Sequence, residues 1–274
     1  MSEQDALARV PGPVILRCVV GSTVHGLNVQ DGIEDRDEMA VCVESLPAAM
    51  GVAAPFEQVV YRTAAEREHK HDAKSRAGDL DLMVYSLRKY VRLALKGNPT
   101  VLALLWAPPM DGTHPWGWQL RELAPSIVSR KAGGAFLGYL IAQKQRLLGE
   151  RGQKDVNRPE LVEKYGFDTK YAMHMIRLGL QGIEVMRTGR MTLPMAEPER
   201  SRLRAIRTGS ETMQQVTTWA GELEAELRDL LDASPLPPEP DSARVERWMV
   251  DAYLQHWKVQ DFDGRLRVEV PDAA

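Results

Sequence analysis

The sequence predicts an α+β fold in which a small mixed β-sheet is followed by a mostly helical part. Short apolar, β-branched runs with brief connections fill the first hundred residues, whereas long helical periods dominate the rest. The change falls near Gly97-Asn98-Pro99, which divides the chain into residues 1–98 and 99–274.

Val14 to Val20 (VILRCVV) reads as a buried strand that ends at Gly21-Ser22. Asp37 to Val43 is the second strand, with Met39, Val41 and Val43 on one face. Gln58 to Tyr61 suits an edge strand. Asp79 to Tyr85 is the fourth, carrying Asp79, Asp81, Met83 and Tyr85 on one face and Leu80, Leu82 and Val84 on the other. Ala64 to Gly78 has charge without period and predicts a mobile, solvated loop that brings Arg67, Lys70, Lys74 and Arg76 near that last strand.

Ser86 can cap a helix in which Leu87, Tyr90, Val91, Ala94 and Leu95 form an amphipathic stripe before Gly97 stops it. Further helices are expected at Thr100 to Trp106, Trp118 to Ser129, Gly134 to Gly149, Thr169 to Thr188, Glu197 to Thr208, Glu211 to Leu231 and Ala243 to Trp257. Ser234 to Pro240 (SPLPPEP) is a stiff, extended connector between the last two.

The 274 residues are 44% hydrophobic and 27% charged, an ordinary globular balance. Val101 to Met110, the most apolar stretch, is about half the ~20 residues of a membrane span and contains two prolines. Glu3 and Asp5 precede the Arg17-interrupted first strand, the wrong charge order for a secretion signal, so a cytoplasmic location is expected. Cys18 and Cys42 lack CxxC spacing and read as reduced core residues. A net charge of -3 excludes a global positive field. Locally, Ile141 to Ser210 carries 14 Lys and Arg against 8 Asp and Glu, while Glu211 to Asp241 carries 1 against 8. A basic segment therefore adjoins an acidic one.

The densest chemistry lies where Gly21-Ser22-Thr-Val-His25-Gly26 follows the first strand and Asp35-Arg36-Asp37 opens the second. A strand ending in Gly-Ser leaves N–H groups and a hydroxyl available to a phosphate. Asp35 and Asp37, two apart on an extended segment, project from one face and suit hard cations such as magnesium. Asp81 or Asp79 supplies a third carboxylate if the two strands are neighbours. Lys170, His174 and Arg177 recur at i, i+4 and i+7 and share one helix face, which is either a site that receives a polyphosphate or an ordinary solvated face. His25 is either a nucleotide contact or a structural histidine. His69 and His71 lack partners for a zinc site and read as exposed residues. Trp106, Trp116 and Trp118 read as packing rather than a base-stacking wall.

The Gly-Ser turn, the Asp-x-Asp pair and the later acidic strand resemble the polymerase-β-like nucleotidyltransferase superfamily. The run Val84 to Leu102 (VYSLRKYVRLALKGNPTVL), with Lys170 to Leu178 (KYAMHMIRL) and Gly189, resembles its RlaP family of RNA-repair-associated enzymes over roughly residues 14–209. That resemblance implies a nucleotidyltransferase domain at residues 1–98 and a helical nucleotide- and substrate-binding domain at 99–274. It implies that Asp35, Asp37 and Asp81 bind two Mg2+ ions and carry catalysis, and that Gly21 and Ser22 form the nucleotide-phosphate turn. A nucleoside triphosphate is the implied substrate and an RNA or tRNA end the favoured acceptor, with a protein or small-molecule hydroxyl, or a non-catalytic binding module, as alternatives. Glu34 stands where the family usually has Ser, and Asp31-Gly32 lengthens the turn before Asp35.

Overall fold

A computed structural model describes residues 2–28, 35–70, 73, 75–76, 78–150 and 158–258. Asp31-Gly32, Glu34, His71 and Lys74 lie outside them. In chain order the elements begin with α1 (Glu3–Ala8), β1 (Val14–Val19), α2 (Gly21–His25), β2 (Arg36–Cys42), α3 (Leu46–Met50), β3 (Gln58–Arg62), α4 (Thr63–Glu68) and β4 (Leu80–Ser86). The helical part holds α5 (Leu87–Leu95), α6 (Pro99–Leu102), α7 (Pro115–Glu122), α8 (Ala124–Ile127), α9 (Arg130–Leu147), α10 (Pro159–Tyr165), α11 (Thr169–Thr188), α12 (Glu199–Arg207), α13 (Met213–Ala233) and α14 (Ser242–Lys258).

The sheet order is β1-β2-β4-β3, with β2 and β4 parallel and both outer pairings antiparallel. The mixed sheet and the helical remainder are thus both present, and β3 occupies an edge. Strand alternation gives the sheet two unlike faces. Leu16, Cys18, Met39 and Val41 belong to the main core, which continues through α5, α6 and α9 into α11 and α13. Ala40, Cys42, Leu82 and Val84 form a smaller cluster with Ala6 and Tyr61 on the other side. Arg17 fastens α1 over that side, bonding Glu3 at 2.6 Å and the buried Glu38. Both cysteines are buried and free.

In the helical layer α11 packs between α9 and α13. Gly179 makes this possible, because a Cβ there would lie 2.7 Å from Leu140 Cδ1 and 3.0 Å from Leu223 Cδ1. The charge asymmetry of the sequence closes on itself at this layer. Lys144 pairs with Glu224 at 3.1 Å, Arg187 with Glu226 at 2.5 Å and Arg202 with Glu211 at 3.0 Å. The acidic stretch therefore serves as counter-charge for part of the basic one. The last helix returns to the sheet: Tyr253 Oη donates to Glu44 Oε2 at 2.6 Å, and Trp257 Nε1 donates to the Glu44 carbonyl at 3.0 Å.

Three elements differ from the sequence reading. Ala64 to Gly78 is not all loop, since α4 occupies its start and Arg67 reaches Asp79. Tertiary pairing supplies there what periodicity does not. The expected Trp118 helix begins at Pro115, capped by His114 Nδ1, and breaks before Ala124-Pro125, where proline has no N–H to continue it. The Thr100 helix is one α-helical turn followed by a 3₁₀ turn at Ala103–Leu105. The short α1, α3 and α10 were not expected; five to seven residues are too few for a periodic signal. Among the described residues no helix is long and apolar enough to cross a membrane.

Candidate active site

Parallel pairing of β2 with β4 sets Asp37 directly opposite Asp81. Asp35 precedes Asp37 by two residues, so extended geometry keeps it on the same side. One carboxylate oxygen from each of Asp35, Asp37 and Asp81 lies within 4.8 Å of the other two, and all three residues are partly exposed. Asp79 faces different company. Its carboxylate accepts Arg67 Nη1 at 2.6 Å, Arg67 Nη2 at 3.0 Å and the Arg76 backbone N–H at 2.7 Å. Those bonds, Arg67 foremost, hold its carboxyl below the usual range. Asp79 is thereby committed to the segment before β4, and Asp81 is the third member of the cluster. Asp81 itself accepts Arg62 Nε at 3.0 Å and the Ser75 hydroxyl at 3.0 and 3.2 Å.

Gly21 touches this cluster through its backbone. Its φ is +66°, and a Cβ built on it would lie 2.0 Å from Asp37 Oδ2. Both the left-handed conformation and the close approach therefore require glycine. Val20 N–H donates to the Asp37 carbonyl at 2.8 Å, which ties the turn to β2.

A cavity of about 440 Å³ opens beside the cluster. Gly21, Ser22 and Asp37 line it together with Lys170, His174 and Arg177 of α11, so these residues, assigned from widely separated motifs, converge on one space. Arg177 Nη2 donates to His174 Nδ1 at 2.7 Å, Nη1 contacts His25 Nε2, and Gln181 Oε1 accepts from Nη1 at 3.4 Å. A guanidinium only donates, so both imidazoles meet it as neutral acceptors. Burial, then the neighbouring guanidinium, pushes His174 down to about 3 and His25 well below its ordinary value. Burial also lowers Arg177 to about 10. Among the described residues no carboxylate pairs with Arg177, an enclosed cation. His25 is both structural and cavity-lining, and it joins α2 to α11.

Sequence reasoning missed Gln181, Gln143, Arg62 and Ser75. Gln181 continues the Arg177 face by one turn, a detectable signal. Gln143 lines the cavity with its Oε1 buried and without a hydrogen-bond partner among the described residues, a fact of packing that leaves no trace in the sequence. Trp106 and Trp116 pack against the core as expected, whereas Trp118 is 49% exposed and lies under Arg121.

Comparison with known families settles the class of chemistry. The family model of RlaP, the RNA repair pathway DNA polymerase beta family, matches residues 2–251. The chain belongs to this family. As an RlaP protein it is a nucleotidyltransferase of the polymerase-β type. No curated protein matches it. Among solved structures, a nucleotidyltransferase-like protein from Exiguobacterium sibiricum aligns over 84% of the RlaP chain and 71% of its own, at 9% identity and a TM-score of 0.29.

Proposed function

We propose that this RlaP chain transfers a nucleoside monophosphate from a nucleoside triphosphate to a hydroxyl at an RNA end, with magnesium as cofactor. The observation that carries the reading is the convergence of Asp35, Asp37 and Asp81 beside the Gly21-Ser22 turn. The donor set fits the ion: three carboxylates close enough to share cations supply the all-oxygen ligands that magnesium prefers. Asp35, Asp37 and Asp81 would hold two ions, which when bound lower the pKa of an attacking hydroxyl and neutralise the leaving phosphates.

The remaining work falls to the chain. Residues 1–98 supply the carboxylates and the turn, and residues 99–274 supply the cations that receive the polyphosphate. Arg177 suits this role because an anion would balance a charge that no carboxylate pairs with among the described residues, and Lys170 adds a second donor two helical turns away. The neutral His25 and His174 hold the guanidinium in place without competing for phosphate. Gln143 Oε1 would repel phosphate and accepts an N–H or O–H, which orients the nucleoside half toward α9. Asp81 takes the proton from the acceptor hydroxyl. The family's place in RNA repair favours an RNA end as that acceptor.

The test is incubation with labelled nucleoside triphosphates, magnesium and RNA oligonucleotides bearing defined ends. The wild-type chain is expected to label the RNA, and the Asp35→Asn/Asp37→Asn double variant to lose at least a hundredfold in rate. Transfer by that variant at the wild-type rate refutes the metal assignment.

A further inference from the structure

We propose that Tyr171 holds the nucleobase, its ring stacking on the base of the nucleoside triphosphate. The proposal rests on the nucleotidyl-transfer reading above and assigns the base half of that same cavity. The charged side chains that line the cavity, Asp37, Arg158, Lys170 and Arg177, come from β2, the cap of α10 and α11. The wall built by α6 and α9 is different. Pro99, Thr100, Ala103 and Gln143 form it, and among the described residues it carries no charge.

Tyr171 joins that uncharged wall. Residues seven apart lie on one flank of a helix, so Lys170 and Arg177 share one flank of α11 while Tyr171 and Leu178 share the next, about 100° round. Tyr171 Oη accepts Arg146 Nη1 at 3.3 Å, which leans the ring toward α9, where Gln143 lies about one turn before Arg146. Phosphates go to the cations, whereas a flat, weakly polar base gains most from apolar contact and an aromatic face. Arg177 lies six positions, and so about 9 Å, further along α11 than Tyr171. A triphosphate held at the Gly21-Ser22 turn and Arg177 therefore leaves the sugar and base to extend toward the ring.

Core packing does not account for the ring. Tyr171 is only half-buried, and among the described residues it is not one of the side chains packed against either apolar cluster. The rings of His25 and His174 are engaged through their nitrogens by Arg177. Tyr171 is thus, among the described residues, the one ring lining the cavity that is not committed to Arg177.

The experiment is titration calorimetry of the full chain with magnesium and each nucleoside triphosphate in turn, and with inorganic tripolyphosphate, which has the phosphates but no base. The wild-type chain is expected to bind the nucleotides more tightly than tripolyphosphate. Tyr171→Leu keeps apolar bulk but removes the aromatic face, so nucleotide affinity should fall at least about fivefold while tripolyphosphate affinity stays within about twofold. Tyr171→Phe keeps the ring, loses only the bond to Arg146, and should retain nucleotide affinity. Circular dichroism confirms that each variant is folded. Unchanged nucleotide affinity in Tyr171→Leu overturns the base platform and leaves the transfer reading standing. Equal losses for nucleotides and tripolyphosphate also overturn it, because they mark a change in the whole cavity rather than in its base half. A wild-type chain that binds no nucleotide with magnesium overturns the transfer reading and this proposal with it.

Discussion

Arg177→Met should leave the nucleotide-free protein about as stable while weakening nucleotide binding, and that contrast distinguishes a binding cation from a structural one. Lowering a guanidinium from its ordinary value to about 10 corresponds to about 3 kcal/mol of lost hydration at neutral pH, where the group stays charged. Methionine removes that cost and fills similar volume. Against the gain stand the charge-assisted hydrogen bonds to His174 and His25, worth at least about 1.5 kcal/mol each. The two nearly cancel, so the melting temperature should move by no more than roughly 2–4 °C, the equivalent of about 1 kcal/mol for a chain of this size. In the nucleotide complex the same change removes charge-assisted bonds to phosphate worth about 1.5–3 kcal/mol, so affinity for a magnesium nucleoside triphosphate should fall roughly 10- to 150-fold. Thermal unfolding without nucleotide and titration calorimetry with it provide the two numbers. A variant destabilised by about 2 kcal/mol or more with unchanged nucleotide affinity would refute the reasoning and make Arg177 a tie between α2 and α11.

The depressed histidines set an acid limit on stability. The unfolded chain protonates His174 below its ordinary 6.5, but the folded chain holds it neutral down to about 3, so stability falls with pH across that window. Between pH 7 and pH 5 its share is about 2 kcal/mol, and His174→Asn should flatten a denaturant-measured pH profile by up to that amount. Gly21→Ala forces an alanine into a left-handed conformation at about 1–2 kcal/mol and drives its methyl group into Asp37, so magnesium affinity by calorimetry and nucleotide transfer should both drop at least tenfold. Wild-type transfer in that variant would show that Asp37 is not a ligand. Asp81→Asn should abolish transfer, whereas Asp79→Asn, which breaks the Arg67 pairing outside the cluster, should spare most of the rate. The reverse pattern would exchange the roles of the two carboxylates.

Much of the fold is legible in local sequence because each signal is short-range. The Ser86 hydroxyl accepts the Lys89 N–H as a cap, and Gly97 takes a positive φ after α5. The span Thr169–Thr188 is read to the residue, because an Asp168 cap and a Gly189 stop bracket a strong helical period. The site is legible in pieces: Asp35 and Asp37 share a face by strand geometry, and Lys170, His174 and Arg177 share one by helix geometry. The alternatives left open were Asp79 against Asp81 and nucleotide contact against structural role for His25. Neither is a local question. Both aspartates alternate onto one side of an ideal strand, and only the Arg67 that reaches back from α4 separates them.

The sequence by itself therefore determined the four strands and the long helices, and which side chains each of these can present together. Repeating geometry of 2 and 3.6 residues is enough for that. The tertiary structure alone decided that β4 inserts between β2 and β3, in a register that sets Asp37 against Asp81. It also decided that a guanidinium 152 positions from His25 is enclosed beside it, with no carboxylate pairing with it among the described residues. Register and enclosure depend on how distant surfaces are buried against each other. No local pattern encodes that, because the free energy of burial belongs to the assembled core rather than to any one segment.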